Sequence, residues 1–405
     1  MTAAQFDIQL VAVITAAACA LPGSFLILRK MGMMTDAISH AILPGIVIGF
    51  FLTEDLGSPL LIVAAAATGV LTVFLVEIVR DTRLVKEDAA IGLVFPALFS
   101  IGVVLISRYA GGVHLDEDVV LLGELAFAPF DRLTIGGVDL GPRGVYVSGS
   151  VLALGAAFIG AFYKELKCAT FDPALATALG LLPGGLHYGL MSVVSMTAVA
   201  AFDVVGSILV IALFVGPPAA AYLLTDRLPV MIGGSMGIGA VCAIAGYWVA
   251  HALDVSIAGS MAGCVGLAFA LSFLLAPERG VVARWRRRRR QQWEFAAQML
   301  LVHLFHHEGT VDEAVENRSK HLQEHFGWTA RAAGQTVDAA RTRDWISLQN
   351  DRLHLTRSGR REARRVLRRG TGGARAEAPV GSMAHASLRP PSDGAPPDEI
   401  QHTTS

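Results

Sequence analysis

Residues 257–290 read IAGSMAGCVGLAFALSFLLAPERGVVARWRRRRR. From Ile257 to Ala276 there is no charged residue, and about twenty apolar residues in a helix cross a hydrocarbon core of ~30 Å. Arginine then fills six of the seven positions 284–290. A basic block directly after a span binds anionic lipid at the inner leaflet, with nucleic-acid contact as the sharper alternative. Residues upstream of this break repeat the apolar pattern, and residues downstream are polar, Arg-rich and His-rich. The whole-chain averages (53% hydrophobic, 17% charged, net charge −1) therefore hide two different halves.

Further apolar runs cover Ile8–Leu28, Met33–Leu52, Pro59–Val79, Ala89–Ser107, Val145–Tyr163, Leu186–Phe202, Val204–Leu224 and Val230–His251. Together with 257–276 they predict an all-α polytopic membrane protein of about nine transmembrane helices. The first run lacks a positive leader and a small-residue cleavage site, so it reads as a retained span. Lys and Arg in short loops mark the cytoplasmic side. Arg29/Lys30, Arg80/Arg83/Lys86, Lys164/Lys167, Arg227 and Arg284–Arg290 lie on that side, and 53–58, 109–142 and 251–256 on the other. The alternation places the N-terminus outside and the C-terminus in the cytoplasm. It needs an even number of crossings between Lys167 and Arg227, either two short spans turning near Phe202–Asp203 or a re-entrant pair. Pro44, Pro96, Pro217 and Pro218 suit interrupted helices in close contact. The four cysteines have neither metal-ligand nor disulfide spacing and read as packing residues.

The segment TDAISHAILPG (35–45) carries the most chemistry. Asp36 and His40 share one helix face. A carboxylate and an imidazole form a partial site for a borderline divalent cation, and ionisable groups at membrane depth mark ion pathways. The competing reading of Asp36 is a helix N-cap. Asp203, in AFDVVGSIL, is a second candidate pathway acid or else a turn cap. Glu77, beside Arg80 at a span end, reads as interfacial. In TFDPALATALGL (170–181), Asp172 caps a short helix, Pro173 suits its first turn and Gly180 its end. Such a cytoplasmic helix suits an ATPase groove or serves as a plain connector. The outer loop VHLDEDVVLLGELAF holds His114, Asp116, Glu117, Asp118 and Glu124, either a cation-attracting patch or a solvated loop. The chain contains no Gly-Lys dipeptide, hence no G-x-x-x-x-G-K-[ST] phosphate loop. It reads as a non-enzyme with no ATPase motif of its own.

The segments SHAILPG, RLVKEDAAIGLVFPALFSIGVVLIS, HLDEDVVLLGELAF, FDPALATALGL, HYGLM and VGPPAAAYLLTDRLP, in that order, resemble the permease subunits of bacterial manganese, zinc and iron ABC importers. FDVVG favours the manganese-type branch. The resemblance implies a multi-pass protein of the bacterial cell (inner) membrane. It implies a homo- or heterodimer of permease subunits, cytoplasmic ABC ATPase subunits and an extracytoplasmic metal-binding protein. It implies no permanently bound cofactor, only a transported divalent metal. It makes Asp36 and His40 pathway residues, and 170–181 the ATPase-coupling loop.

The tail departs from a minimal permease. The expected divisions are a membrane domain (1–280), a polybasic juxtamembrane linker (281–290), a small cytoplasmic domain (291–370) and a disordered tail (371–405). WEFAAQMLLVHLFHH has helical periodicity. LHLTRSGRREA (353–363) is similar to the wing and basic helix of winged-helix metal-dependent repressors of the diphtheria-toxin-repressor type. His303, His306, His307, His321 and His325 fall at helical spacings. His303, His307, His321 and His325 are candidate metal contacts, and surface or packed histidines are the alternative. Nucleic-acid binding by this module, and with it a membrane-tethered metal-responsive regulator, is the alternative function. A passive channel or secondary transporter is a third reading.

Overall fold

The computed structural model describes residues 2–53, 59–109, 125–135, 138–311, 317–318, 326–349 and 352–373. The acidic residues Asp116, Glu117, Asp118 and Glu124, the histidines His114, His321 and His325, and the tail from 374 lie outside them. The chain forms two compact units, 1–282 and 283–405.

The first unit is a helical bundle. Its elements are α1 (Ala3–Leu28), α2 (Gly32–Ala41), α3 (Leu43–Thr53), α4 (Pro59–Asp81), α5 (Glu87–Tyr109), a hairpin of β1 (Arg132–Ile135) and β2 (Val138–Pro142), α6 (Arg143–Ala161), α7 (Tyr163–Phe171), α8 (Pro173–Ala178), α9 (Pro183–Val205), α10 (Ser207–Leu224), α11 (Leu228–Leu253) and α12 (Ile257–Leu275). Among the described residues nine segments are long and apolar enough to span a membrane, α2 and α3 counting as one. The protein is an all-α polytopic membrane protein. In hydrocarbon every backbone polar group needs an internal partner, which only continuous helices supply along a span.

Two interruptions are informative. The second span breaks at Ile42, between α2 and α3. Pro44 has no N–H to return to the His40 carbonyl, and its ring crowds that carbonyl. The stretch 183–224 forms two separate helices, each of span length, in place of a re-entrant pair. The turn falls at Gly206, whose φ of +78° suits glycine, and not at Phe202–Asp203. Asp203 therefore stays inside the last turn of α9.

α1 and α9 are the most buried spans, with 72% and 67% of their apolar windows inside the unit. α12, at 11%, is the most peripheral. Helices pack here through small side chains and interhelical hydrogen bonds, because lipid offers no hydrophobic drive between them. Thr15 and Ser148 hydroxyls meet at 2.8 Å, Ser24 and Ser235 at 2.9 Å, and Ser195 Oγ donates to the Ala66 carbonyl at 2.9 Å. Gly23 of α1 lies against the Phe214 carbonyl of α10, which Pro218 deprives of its helical donor. At the β hairpin, Arg132 bridges Asp7 at 3.3 Å and Asp139 at 2.6 Å. The Gly141 amide and Arg132 hold the Asp139 carboxyl below the ordinary carboxylate range.

The second unit contains α13 (Val281–His307, which begins at the unit boundary), α14 (Ala330–Thr342), the antiparallel hairpin β3 (Ile346–Gln349) and β4 (Arg352–Leu355), and α15 (Arg357–Gly373). Leu300, Leu301 and Leu304 form its core with Trp328, Ala333, Ile346, Leu353 and Ala363. Glu294 takes ion pairs from Arg290 at 3.3 Å and Arg343 at 2.8 Å.

The glycine contact gives a direct test of the packing. A methyl at position 23 would lie 3.1 Å from the Phe214 carbonyl carbon and closer still to its oxygen. Gly23→Ala should therefore cost on the order of 1–3 kcal/mol and lower the melting temperature of the detergent-purified protein. Gly149→Ala, with nothing within 4 Å of the added carbon, should leave it unchanged or slightly raised.

Candidate functional site

α2 places Asp36 and His40 one turn apart. Asp36 Oδ1 lies 3.4 Å from His40 Nε2, and the two side chains are 34% and 32% exposed. The N-cap of α2 is Met31, five residues before Asp36, so Asp36 is not a helix cap. Buried Met34, Ala37, Ile38 and Ala41 hold the opposite face of α2 in the bundle, which fixes the direction of the pair. The Phe95 ring lies 6.0 Å from the imidazole. The break at Ile42 adds a third group, since the His40 carbonyl lacks its i+4 donor at Pro44. A carboxylate and an imidazole one turn apart, beside a carbonyl without its usual helical donor, bring oxygen and nitrogen donors together on a partly exposed helix face. Among the described residues no group of three or more His, Cys, Asp or Glu side chains could by itself hold a metal. The described residues of one chain therefore offer an incomplete site.

Asp203 is exposed on the last turn of α9 and interacts electrostatically with Arg143 and Asp131. Among the described residues no hydrogen bond or ion pair joins it to Asp36 or His40. In the second unit His303 is buried, with its ring 4.7 Å from His307 and edge-on to Phe326 at 5.1 Å. These rings pack with aromatic side chains of the core.

The segment 170–181 has the expected form. Asp172 is the N-cap of α8 and accepts the Leu175 amide at 2.9 Å. Pro173 opens the helix. At the other end Leu181 N donates to the Ala176 carbonyl and Gly180 N to the Thr177 carbonyl, each at 3.0 Å. Gly180 sits at φ +75°, so the end is a Schellman cap, which favours glycine.

One polar cluster is absent from the sequence reading. Arg29, just past α1, donates from Nε to Thr170 Oγ1 of α7 at 3.1 Å. Its Nη1 lies 3.1 Å from His187 Nδ1 of α9. A guanidinium can only donate, so Nδ1 is the acceptor and the imidazole proton sits on Nε2. That Nε2 lies 3.0 Å from Glu77 Oε1 of α4, close but not aligned as a hydrogen bond. Tyr188 Oη donates to Glu77 Oε2 at 2.5 Å, and Arg80 approaches Glu77 at 3.6 Å. Glu77 and His187 are each only 15% exposed. Besides Arg80, the partners of Glu77 are His187 and Tyr188, over a hundred positions away in sequence, where no local pattern could reveal them.

Residues 5–276 match the model of the ABC 3 transport family. The chain belongs to that family. Among its relatives, the zinc transport system membrane protein TroD of Treponema pallidum is 46% identical over 353 residues, 87% of this chain and 96% of that protein. The manganese transport system membrane protein MntD of Bacillus subtilis is 47% identical over 272 residues, 67% of this chain and 92% of that protein. Among solved structures, PsaBC from Streptococcus pneumoniae in complex with Fab matches with a TM-score of 0.58 at 27% identity, covering 69% of this chain and 94% of that one. These matches agree with the transport reading and with the expected resemblance. They lend no support to the winged-helix likeness of the tail or to the regulator alternative.

Proposed function

We propose that this chain is the membrane-spanning permease subunit of an ATP-driven importer of divalent metal ions, with manganese the favoured cargo and zinc or iron the alternatives. The observation that carries the proposal is the Asp36–His40 pair on a helix broken one turn later. Carboxylate, imidazole and carbonyl donors without a thiolate suit a hard to borderline ion such as manganese. The named manganese and zinc transport relatives support the same cargo class.

Passage works by transient compensation. An ionised carboxylate at membrane depth is costly, and among the described residues no Lys or Arg pairs with Asp36. A passing cation replaces that missing partner. Neutral imidazole adds a second donor, and a second permease subunit or water completes the shell. Asp203, near the opposite end of α9, would attract cations before they reach the pair. α8 would dock in a groove of a separate ATPase subunit, which supplies the phosphate-binding loop this chain lacks. An extracytoplasmic metal-binding protein would deliver the ion. The arginine block 284–290 would hold anionic lipid at the inner leaflet.

Three experiments test this reading. In proteoliposomes with the partner ATPase, Asp36→Asn or His40→Ala should cut metal uptake by about tenfold or more without loss of assembly. The double variant should be little worse than either single one, because both break one site. Wild-type uptake by both single variants would return the pair to a packing role. Gly180→Pro, which cannot take φ +75°, should leave ATP hydrolysis running while uptake falls, as should Asp172→Lys. Normal uptake by both would make α8 a connector. For orientation, a membrane-impermeant maleimide added to intact cells should label Phe130→Cys and spare Leu84→Cys. Both sites are open, at 80% and 87% exposure, so burial cannot explain protection. The reverse pattern would invert the topology.

A further inference from the structure

The Arg29–His187–Glu77 cluster lies apart from the Asp36–His40 pair and needs its own explanation. It contains a second carboxylate–imidazole couple, yet its surroundings disfavour a cation. Arg29 bonds to the imidazole and Arg80 approaches the carboxylate, so two guanidinium charges already flank the couple and would repel a cation. Holding helices together is not a sufficient reason for it either. Apolar side chains of similar volume would do that as well or better, because burying charged groups costs desolvation. What distinguishes the cluster is the set of elements it joins.

Thr170 lies on α7, directly before the capped helix α8. Arg29 ties Thr170 to His187 on α9, and His187 meets Glu77 on α4. α4 and α9 are tied a second time by Ser195 and the Ala66 carbonyl. α4 then meets α3 with no slack. A Cβ on Gly45 would lie 2.6 Å from the Ala64 carbonyl oxygen, and one on Gly49 would lie 3.1 Å from Leu61 Cα. α3 continues into α2 through the break at Ile42. A displacement of α7 and α8 therefore has a contiguous polar and close-packed route to the helix that carries Asp36 and His40.

We infer that Arg29, His187 and Glu77 are positioning residues that transmit movement of the α7–α8 segment to α4, and through α3 to the metal pair. Arg29 and Glu77 are the fixed charges, and neutral His187 is the joint that accepts from one and faces the other. The inference rests on the permease reading and on α8 as the ATPase-docking element.

The test is a pair of substitutions at the joint. Glutamine at 187 can accept from Arg29 through its oxygen and donate to Glu77 through its nitrogen. Leucine can do neither. In the complex with its ATPase, reconstituted in proteoliposomes, the readout is manganese transported per ATP hydrolysed. His187→Leu should lower that ratio by about tenfold while hydrolysis continues, and His187→Gln should restore most of it. Arg29→Lys, which replaces the two nitrogens that reach Thr170 and His187 with one ammonium, should lower the ratio even if His187→Leu fails to fold. A wild-type ratio in His187→Leu and Arg29→Lys would overturn the inference. So would equal loss in the Leu and Gln variants accompanied by equal loss of thermal stability, since that is the signature of a merely structural role. Absence of ATP-driven uptake by the wild-type complex would instead overturn the permease reading, a failure visible before any variant is made.

Discussion

An unpaired peptide group in hydrocarbon costs several kcal/mol, and the membrane unit is organised by where the chain meets that cost. Along most of each span the helix meets it internally. Even at Ile42 and Gly206 the chain keeps i→i+4 bonds, from Ile46 N to the Ile42 carbonyl and from Gly206 N to the Phe202 carbonyl. The donors that are missing are those of the prolines, at Pro22, Pro44, Pro96, Pro217 and Pro218. The Phe214 carbonyl faces Gly23, where the absence of a side chain lets two helices approach. Pro44 removes the amide that would serve the His40 carbonyl, beside a carboxylate–imidazole pair that is partly exposed. In the proposed reading the break next to Asp36 and His40 would serve the ion as well as interrupt the span.

The two carboxylate–imidazole pairs show how surroundings decide a role that composition leaves open. Asp36 and His40 are 3.4 Å apart and Glu77 and His187 are 3.0 Å apart. The first pair projects from one helix and stands without an adjacent guanidinium. The second bridges two helices between two guanidiniums. A mobile cation suits the first, where it supplies the missing charge. The second already has its counter-charges, which fix the tautomer of His187 and the orientation of Glu77.

The spans were legible because twenty uncharged residues leave few alternatives, and the α8 caps because Asp172, Pro173 and Gly180 act within a few residues of one another. Asp36 and His40 were legible through helical periodicity alone. The turn at Gly206 was misplaced by a few residues because Asp203 looked like a turn former. In the structure Asp203 remains helical and glycine takes the positive φ. The Arg29 cluster was illegible for a different reason. Arg29 meets residues 141 and 158 positions away, and only the packing of α1, α4, α7 and α9 creates that neighbourhood. Glu77, read as interfacial beside Arg80, keeps that neighbour at 3.6 Å and adds His187 and Tyr188 of α9.

The second unit follows different solvent rules, and α13 carries the change within one helix. Its first ten residues include six arginines, and its later turns bury Ala297, Leu300, Leu301 and Leu304. Along this helix the arginines come first and the residues that require a core follow some turns later. The relative MntD is matched over 92% of its length by 272 residues of this chain, so it is too short to contain a counterpart of both units. The match to TroD, at 353 residues, is longer than the first unit and reaches into the second. The second unit is therefore matched at least in part in TroD, while the match to MntD is no longer than the first unit. Asp36 and His40, the groups proposed to bind and pass an ion, lie in the first unit, within the residues that match the family model.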